Sequence, residues 1–267
     1  MQLLANIWRF LVSVFERKKK PVTPTVGGGS NFNAPVLAFI NMTTVLKDSD
    51  ISPVIQALQV QVSAHLAPIW DVTATLVQVP TGGTPPPGSW HMYLLDNSDV
   101  AGALGLHDVT NEGNPLGKCF VKTTMDAGDA WTVCASHETL ELICDAQINT
   151  VKQVGDSEFW ALEVADTCES DQYGYTINGI LVSDFVYPAW WGGPSDGKYD
   201  YMGHVTAPLQ ILDGGYIGAW TPSTGWGIRT AKLANAKTLL SSRAPVGSRR
   251  ERRSVPRSQW VVSTNKF

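Results

Sequence analysis

The chain has 267 residues, 43% apolar and 16% charged, with 10 Trp, 24 Gly and 16 Pro, a composition that supports a hydrophobic core and excludes disorder over most of its length. No apolar run reaches the roughly 20 residues of a membrane-spanning helix, so no span is expected. The net charge of −4 divides into +4 over residues 1–20, −14 over 21–242 and +6 over 243–267, so an acidic body with two basic arms leaves only the arms to attract nucleic acid.

Residues 1–20 place Leu3, Leu4, Ile7, Leu11, Val14 and Phe15 on one helical face, with Gln2, Asn6, Arg9, Ser13 and Glu16 opposite. Charge follows the apolar stretch and no small-residue cleavage site ends it, which argues against a secretory signal. An amphipathic helix is expected to dock onto a partner, with Trp8 and Phe15 as partner-binding residues, or onto a membrane surface; folding back onto the body is the alternative. A Gly/Pro linker over 21–34 centres on Gly27-Gly28-Gly29-Ser30. A globular domain is expected over 35–242. It opens with a strand at 36–42 and a helix at about 50–70, whose apolar face is Val54, Ile55, Leu58, Val62 and Leu66. Strands follow at 74–79 and 90–96, then a Gly/Asn loop at 101–116 and a strand at 118–124. A second main helix at 129–147, a strand at 159–165 and an acidic turn at 166–171 come next. From Tyr173 the chain reads as loop and short strand, and a short helix at 230–241 precedes the tail. This order predicts an α+β domain with a mixed sheet and two main helices, plus extended N- and C-terminal arms.

The four cysteines (Cys119, Cys134, Cys144 and Cys168) have neither CxxC nor zinc-finger spacing and read as buried free thiols. The chemistry-bearing segment lies in the second main helix, as Ser136-His137-Glu138-Thr139-Leu140-Glu141. His137 and Glu141 are one turn apart on one face, where both can hold a single metal ion. Glu138 projects about 100° around the axis, towards a metal-bound water as catalytic base. Carboxylate in place of a second imidazole lowers the Lewis acidity of zinc and moves preference towards calcium, magnesium or manganese. One of Glu163, Asp166 or Glu169 is expected to supply the third ligand. His107 and His204 are accessory candidates, or loop imidazoles bonded to backbone.

The order of strand, helix, strands and an HExx-bearing helix resembles zincin-fold metallopeptidases over residues 35–170. His137 and Glu138 match that family's first ligand and general base, and Glu141 replaces its second His. Glu163 has spacing similar to the downstream Glu of the gluzincin branch. The resemblance implies a zincin-like fold with HExxE on its second helix, a divalent metal (zinc first, calcium or manganese as alternatives) and a peptide substrate. The stretches LGLHDVTNEGNPLGKCFVKTT, ASHETLELICD, LEVADTCESDQYGY and VSDFVYPAW also resemble uncharacterised proteins of tailed bacteriophages and prophages, which implies a place in a virion or in the host cytoplasm during assembly.

Trp190-Trp191 with Tyr187, Tyr199, Tyr201 and Tyr216 either lines a groove or packs beneath long loops. The tail has six Arg in residues 243–257, among them Arg249, Arg250, Arg252 and Arg253, suited to phosphate or carboxylate partners. Two functions are therefore expected as alternatives. One is a virion-associated metallopeptidase; the other is an inactive capsid, neck or tail component docked to other virion proteins in an oligomeric assembly through its arms.

Overall fold

The computed structural model describes residues 34–99 and 103–231. The expectations for the N-terminal helix with Trp8 and Phe15, for the linker before Ala34, and for the tail with Arg249, Arg250, Arg252 and Arg253 lie outside the described residues. The chain divides after Asn33, and every described residue belongs to the unit that follows.

The architecture is α+β with a mixed sheet. Strand β1 (Val36–Asn41) is flanked in parallel by β2 (Thr75–Val79) and β3 (Trp90–Leu95); β5 (Pro115–Phe120) continues in parallel beside β3, and β4 (Gly105–Val109) closes the edge antiparallel to β5. Leu37, Ala38 and Phe39 are buried in succession, as in a central strand covered on both faces. Helix α1 crosses over from β1 to β2. It runs as Asp48–Val60, widens to a π-helical stretch at Gln61–Leu66 and ends at Ala67–Trp70. The Lys47 backbone N–H donates to the Asp50 carboxylate at 2.8 Å, which closes its first turn. Ile51, Val54, Ile55, Leu58, Val62 and Leu66 form its buried stripe.

Two corrections follow β3. The expected loop at 101–116 contains strand β4 and the hairpin to β5, closed by the Thr110 N–H donating to the Asn114 carbonyl at 2.8 Å, with Gly113 at φ 90°. The strand expected at 118–124 stops at Phe120 and becomes helix α2 (Val121–Ala127). Buried Val121 and Thr124, with the Thr124 hydroxyl donating to the Phe120 carbonyl at 2.9 Å, stabilise the helical turn over the local strand preference. Gly128, at φ 91°, ends it.

Helix α3 (Trp131–Cys144) is shorter than the sequence suggests. Asp145 stops it by turning its carboxylate onto the Asn149 and Thr150 amides (3.3 and 3.0 Å) and the Thr150 hydroxyl (2.9 Å). A second, antiparallel sheet has the order β11-β10-β7-β6, from β6 (Val151–Gln153), β7 (Phe159–Ala161), β10 (Tyr216–Thr221) and β11 (Gly225–Thr230). The strand expected to reach 165 ends at Ala161, because the amides of Ala165 and Asp166 turn to Glu141. Thr230 ends β11 rather than starting a helix, and residues 232–241 lie outside the described residues. Between the two halves of this sheet, β8 (Tyr175–Ile177) and β9 (Ile180–Val182) form a tight hairpin through Asn178-Gly179, both at positive φ.

The Trp190-Trp191 segment is core rather than groove. Trp190 is fully buried against Trp160 and Trp191, and its indole N–H donates to the Gln210 carbonyl at 2.8 Å. All four cysteines are free thiols.

Candidate metal centre

Three pieces of chain bring ionisable side chains together inside the domain. Strand β4 supplies His107, helix α3 supplies His137, Glu138 and Glu141, and the segment after β7 supplies Glu163, Asp166 and Glu169. The helical spacing carries His137 and Glu141 to one face, with Nε2 of His137 3.3 Å from Oε2 of Glu141. These two residues are not at the rim of the core as their flanking sequence implies: His137 is 7% exposed and Glu141 fully buried. His107, Glu138, Glu163 and Asp166 are also buried, and Glu169 is the most open member of the cluster.

The helix is held in place from both ends and along its side. The carboxylate of Asp171 accepts the Ala130 N–H at 2.7 Å, at the N-terminus of α3 where Ala130 has no capping side chain of its own. Lower on the helix, Oε1 of Glu141 accepts the N–H groups of Ala165 and Asp166, each at 3.2 Å. The acidic turn is thus tied to α3 twice, which sets Asp166 opposite His137. On the flank facing α1, the Ser136 hydroxyl donates to Gln61 Oε1 at 2.7 Å and accepts the Ser183 N–H at 3.0 Å, while Gln61 Nε2 donates to the Ser183 carbonyl at 2.8 Å. All three residues are buried, so this closed network fixes the rotation of α3. On the flank facing β4, Gly105 makes room: a Cβ there would lie 2.7 Å from Glu138 Oε1 and 2.8 Å from Cys134 Sγ.

The donor atoms are spaced as ligands are spaced. His107 Nδ1 is 3.4 Å from Oε2 of both Glu138 and Glu141, and His107 Nε2 is 3.3 Å from Glu163 Oε2. His137 Nε2 is 3.3 Å from Asp166 Oδ1. Charge-assisted hydrogen bonds run at about 2.7–2.9 Å, whereas a tetrahedral cation with bonds of about 2.0–2.1 Å separates its ligands by about 3.3–3.4 Å. Glu138 Oε2 and Asp166 Oδ1 are buried oxygens with no hydrogen bond, a costly state that a cation relieves. Three sets of ligand atoms each lie within 4.8 Å of one another: His107, Glu141 and Glu163; His137, Glu138 and Glu141; and His137, Asp166 and Glu169. These buried groups can hold a metal ion.

Burial opposes ionisation in this cluster, and the neighbouring charges decide each outcome. Burial alone would lower the His137 imidazole, but Glu141 and then Asp166 pull it well above its usual value. Burial likewise raises the Glu141 carboxyl, and His137 with His107 reverses this and holds it well below the ordinary range. For Asp166, burial followed by the charge of Glu141 pushes the carboxyl up to about 6. Glu169 rises to about 8, chiefly through burial. Among the described residues, five carboxylates therefore share a site in which only the two imidazoles can carry positive charge. The ion-paired cations Lys118, Lys122 and Arg229 face Asp99, Asp126 and Glu158 instead.

The accessory candidates separate. His107 is in the centre of the cluster, carried by the strand the sequence hides; the Asn111-Glu112-Gly113-Asn114 turn was the signal for that hairpin. His204 is exposed, packs at a tilt against Tyr173 at 5.3 Å between ring centres, and belongs to none of the three ligand sets. Glu138 has a carboxylate oxygen within 4.8 Å of ligand atoms of both His137 and Glu141.

Comparison with known proteins returns no match, whether to a family model, a curated sequence or a solved structure. Among the described residues no helix is long and apolar enough to cross a membrane.

Proposed function

We propose that the protein is a divalent-cation-dependent hydrolase of zincin-like design, with peptide bonds as its substrate class, encoded by a tailed phage and carried with the virion. The observation that carries this reading is the convergence of His137 and Glu141 from one helical face with Asp166, at ligand spacing and out of bulk water. The donor set of imidazole and carboxylate suits zinc first, and manganese or calcium in proportion to its oxygen content. When bound, the cation supplies Lewis acidity and an acidified water. The chain's own residues do the rest. His137, Glu141 and Asp166 or Glu169 hold the ion; Glu138 accepts the proton of the attacking water and returns it to the leaving amine. Glu169, the most open of the group, marks the side from which substrate approaches. The basic arms over 1–20 and 243–267 serve to dock on neighbouring virion proteins, with nucleic acid as a further partner of the Arg-rich tail alone.

A second reading is favoured by the burial of six of the seven groups. The cation then acts as an internal staple in a structural virion component with no turnover. Purification without added metal, followed by elemental analysis and cleavage of a peptide library, separates the two readings. Stoichiometric cation with cleavage that disappears in Glu138→Gln supports the hydrolase. Cation without Glu138-dependent cleavage assigns the structural role, and a protein that binds no cation overturns both.

A further inference from the structure

Seven ligating side chains are more than one ion of the preferred kind uses. A zinc site takes four ligands at most in its resting state, and larger ions with more ligands select oxygen over imidazole, yet this cluster holds two imidazoles. Two of its ligand sets share no residue: His107, Glu141 and Glu163 on one side, His137, Asp166 and Glu169 on the other, each one imidazole with two carboxylates. Oε2 of Glu141 stands between them, 3.4 Å from His107 Nδ1 and 3.3 Å from His137 Nε2. Each imidazole also has beside it a buried carboxylate oxygen without a hydrogen bond, the one beside His107 coming from Glu138, outside its ligand set. For His107 it is Glu138 Oε2, at 3.4 Å; for His137 it is Asp166 Oδ1, at 3.3 Å.

We infer that the centre is dinuclear, with one divalent cation on His107, Glu141 and Glu163, a second on His137, Asp166 and Glu169, and Glu141 as the carboxylate between them. Charge agrees with this assignment. With both imidazoles neutral and all five carboxylates ionised, the form in which they would ligate, the cluster carries −5, so one divalent ion leaves −3 inside a buried cluster and two leave −1. Paired cations commonly share a carboxylate and act together on the attacking and leaving oxygens of a displacement. The placement of His107 on the edge strand, facing three carboxylates, has a use here that a single site on α3 would not give it.

The inference rests on the reading of the cluster as a cation site, and the test keeps the two apart. The full chain is stripped with chelator, reloaded with Mn(II) alone and measured by native mass spectrometry and electron paramagnetic resonance. Two ions per chain with a spin-coupled spectrum are expected. His107→Gln and Asp166→Asn should each retain one ion, with an uncoupled six-line signal and an unchanged far-ultraviolet circular dichroism spectrum. Glu163→Gln provides a second variant on the β4 side should His107→Gln fail to fold. One ion per wild-type chain, or two in folded variants from both sides, overturns the dinuclear assignment and leaves the cation site standing. No bound ion removes both.

Discussion

Glu138 and Asp184 are both buried acids, and their surroundings give them opposite work. Glu138 has a carboxylate oxygen open to the cluster and no backbone donor to satisfy it, so Glu138→Gln keeps the shape while removing the proton acceptor. For the hydrolase proposed above, cleavage in that variant should fall by about 10²–10⁴-fold, with cation content unchanged; steady-state kinetics beside elemental analysis reads both. Asp184 is fully buried next to Asp200. One of its oxygens accepts the N–H groups of Phe185 (2.7 Å) and Met202 (3.2 Å), and the other has no donor facing it. Asp200 already accepts from Gly203, His204 and Val205. Burial first, then the charge and hydrogen bond of Asp200, push Asp184 up to about 8, which favours its neutral, protonated form at neutral pH. A folded-state value above the unfolded one stabilises the fold in full below about 3.8, and that contribution declines as pH rises to about 8. Asp184→Asn replaces the O–H donor with N–H and should flatten this part of the profile. Denaturant unfolding at pH 5, 7 and 9 checks it: a wild-type slope that the variant leaves intact would locate the pH dependence elsewhere.

At the scale of elements, the helix that bears the site depends on contacts far from it in sequence. Asp171 caps α3 from the acidic turn, so Asp171→Ala should cost about 0.5–2 kcal/mol and lower the melting temperature by a few degrees, with a weaker hold on the cation because the same turn carries Asp166. Gly105 is a sharper case. A methyl group there would meet the side chains of Glu138 and Cys134 at 2.7–2.8 Å. Gly105→Ala should therefore cost about 1–3 kcal/mol through overpacking and displace Glu138, whereas Gly155→Ala, with nothing nearby, should be neutral in the same thermal unfolding assay. That glycine also explains what the sequence could and could not reveal. Periodicity was sufficient for β1, β2, β3, α1 and α3, and the i, i+4 spacing for the His137–Glu141 pair, because these depend on local pattern. Strand β4 was hidden because Gly105 looks like a loop residue, when it serves the close approach of a helix that begins at Trp131. α2 was hidden because Phe120, Val121, Thr123 and Thr124 have strand propensity, which burial beneath the neighbouring elements overrides. The role of Glu141 as acceptor for the Ala165 and Asp166 amides is tertiary and left no trace in the spacing.

At the scale of the whole described domain, the candidate cation site lies where several pieces of the chain are joined. Edge strand β4, helix α3 and the segment from Glu163 to Glu169 meet there, while Leu37, Phe39, Ile51, Leu58, Met92 and Leu94 of β1, β3 and α1 lie in the part of the common hydrophobic core that bears none of the seven side chains. An ion bound there would link the first three pieces, and its contribution would follow mass action, about 2.7 kcal/mol at a hundredfold excess over Kd. Its removal returns mutually repelling carboxylates to a buried place without breaking the core around β1. Chelation should therefore lower the melting temperature and accelerate amide exchange unevenly. The amides of Ala165 and Asp166, which donate to Glu141, and those of β4 should lose protection first; the ladder between β1 and β3 should change little. Hydrogen exchange followed by mass spectrometry, with and without Mn(II), makes the comparison. A uniform loss across β1 and β4 would mean that the ion supports the entire core rather than this junction, and no change anywhere would mean that the seven side chains are arranged without need of it.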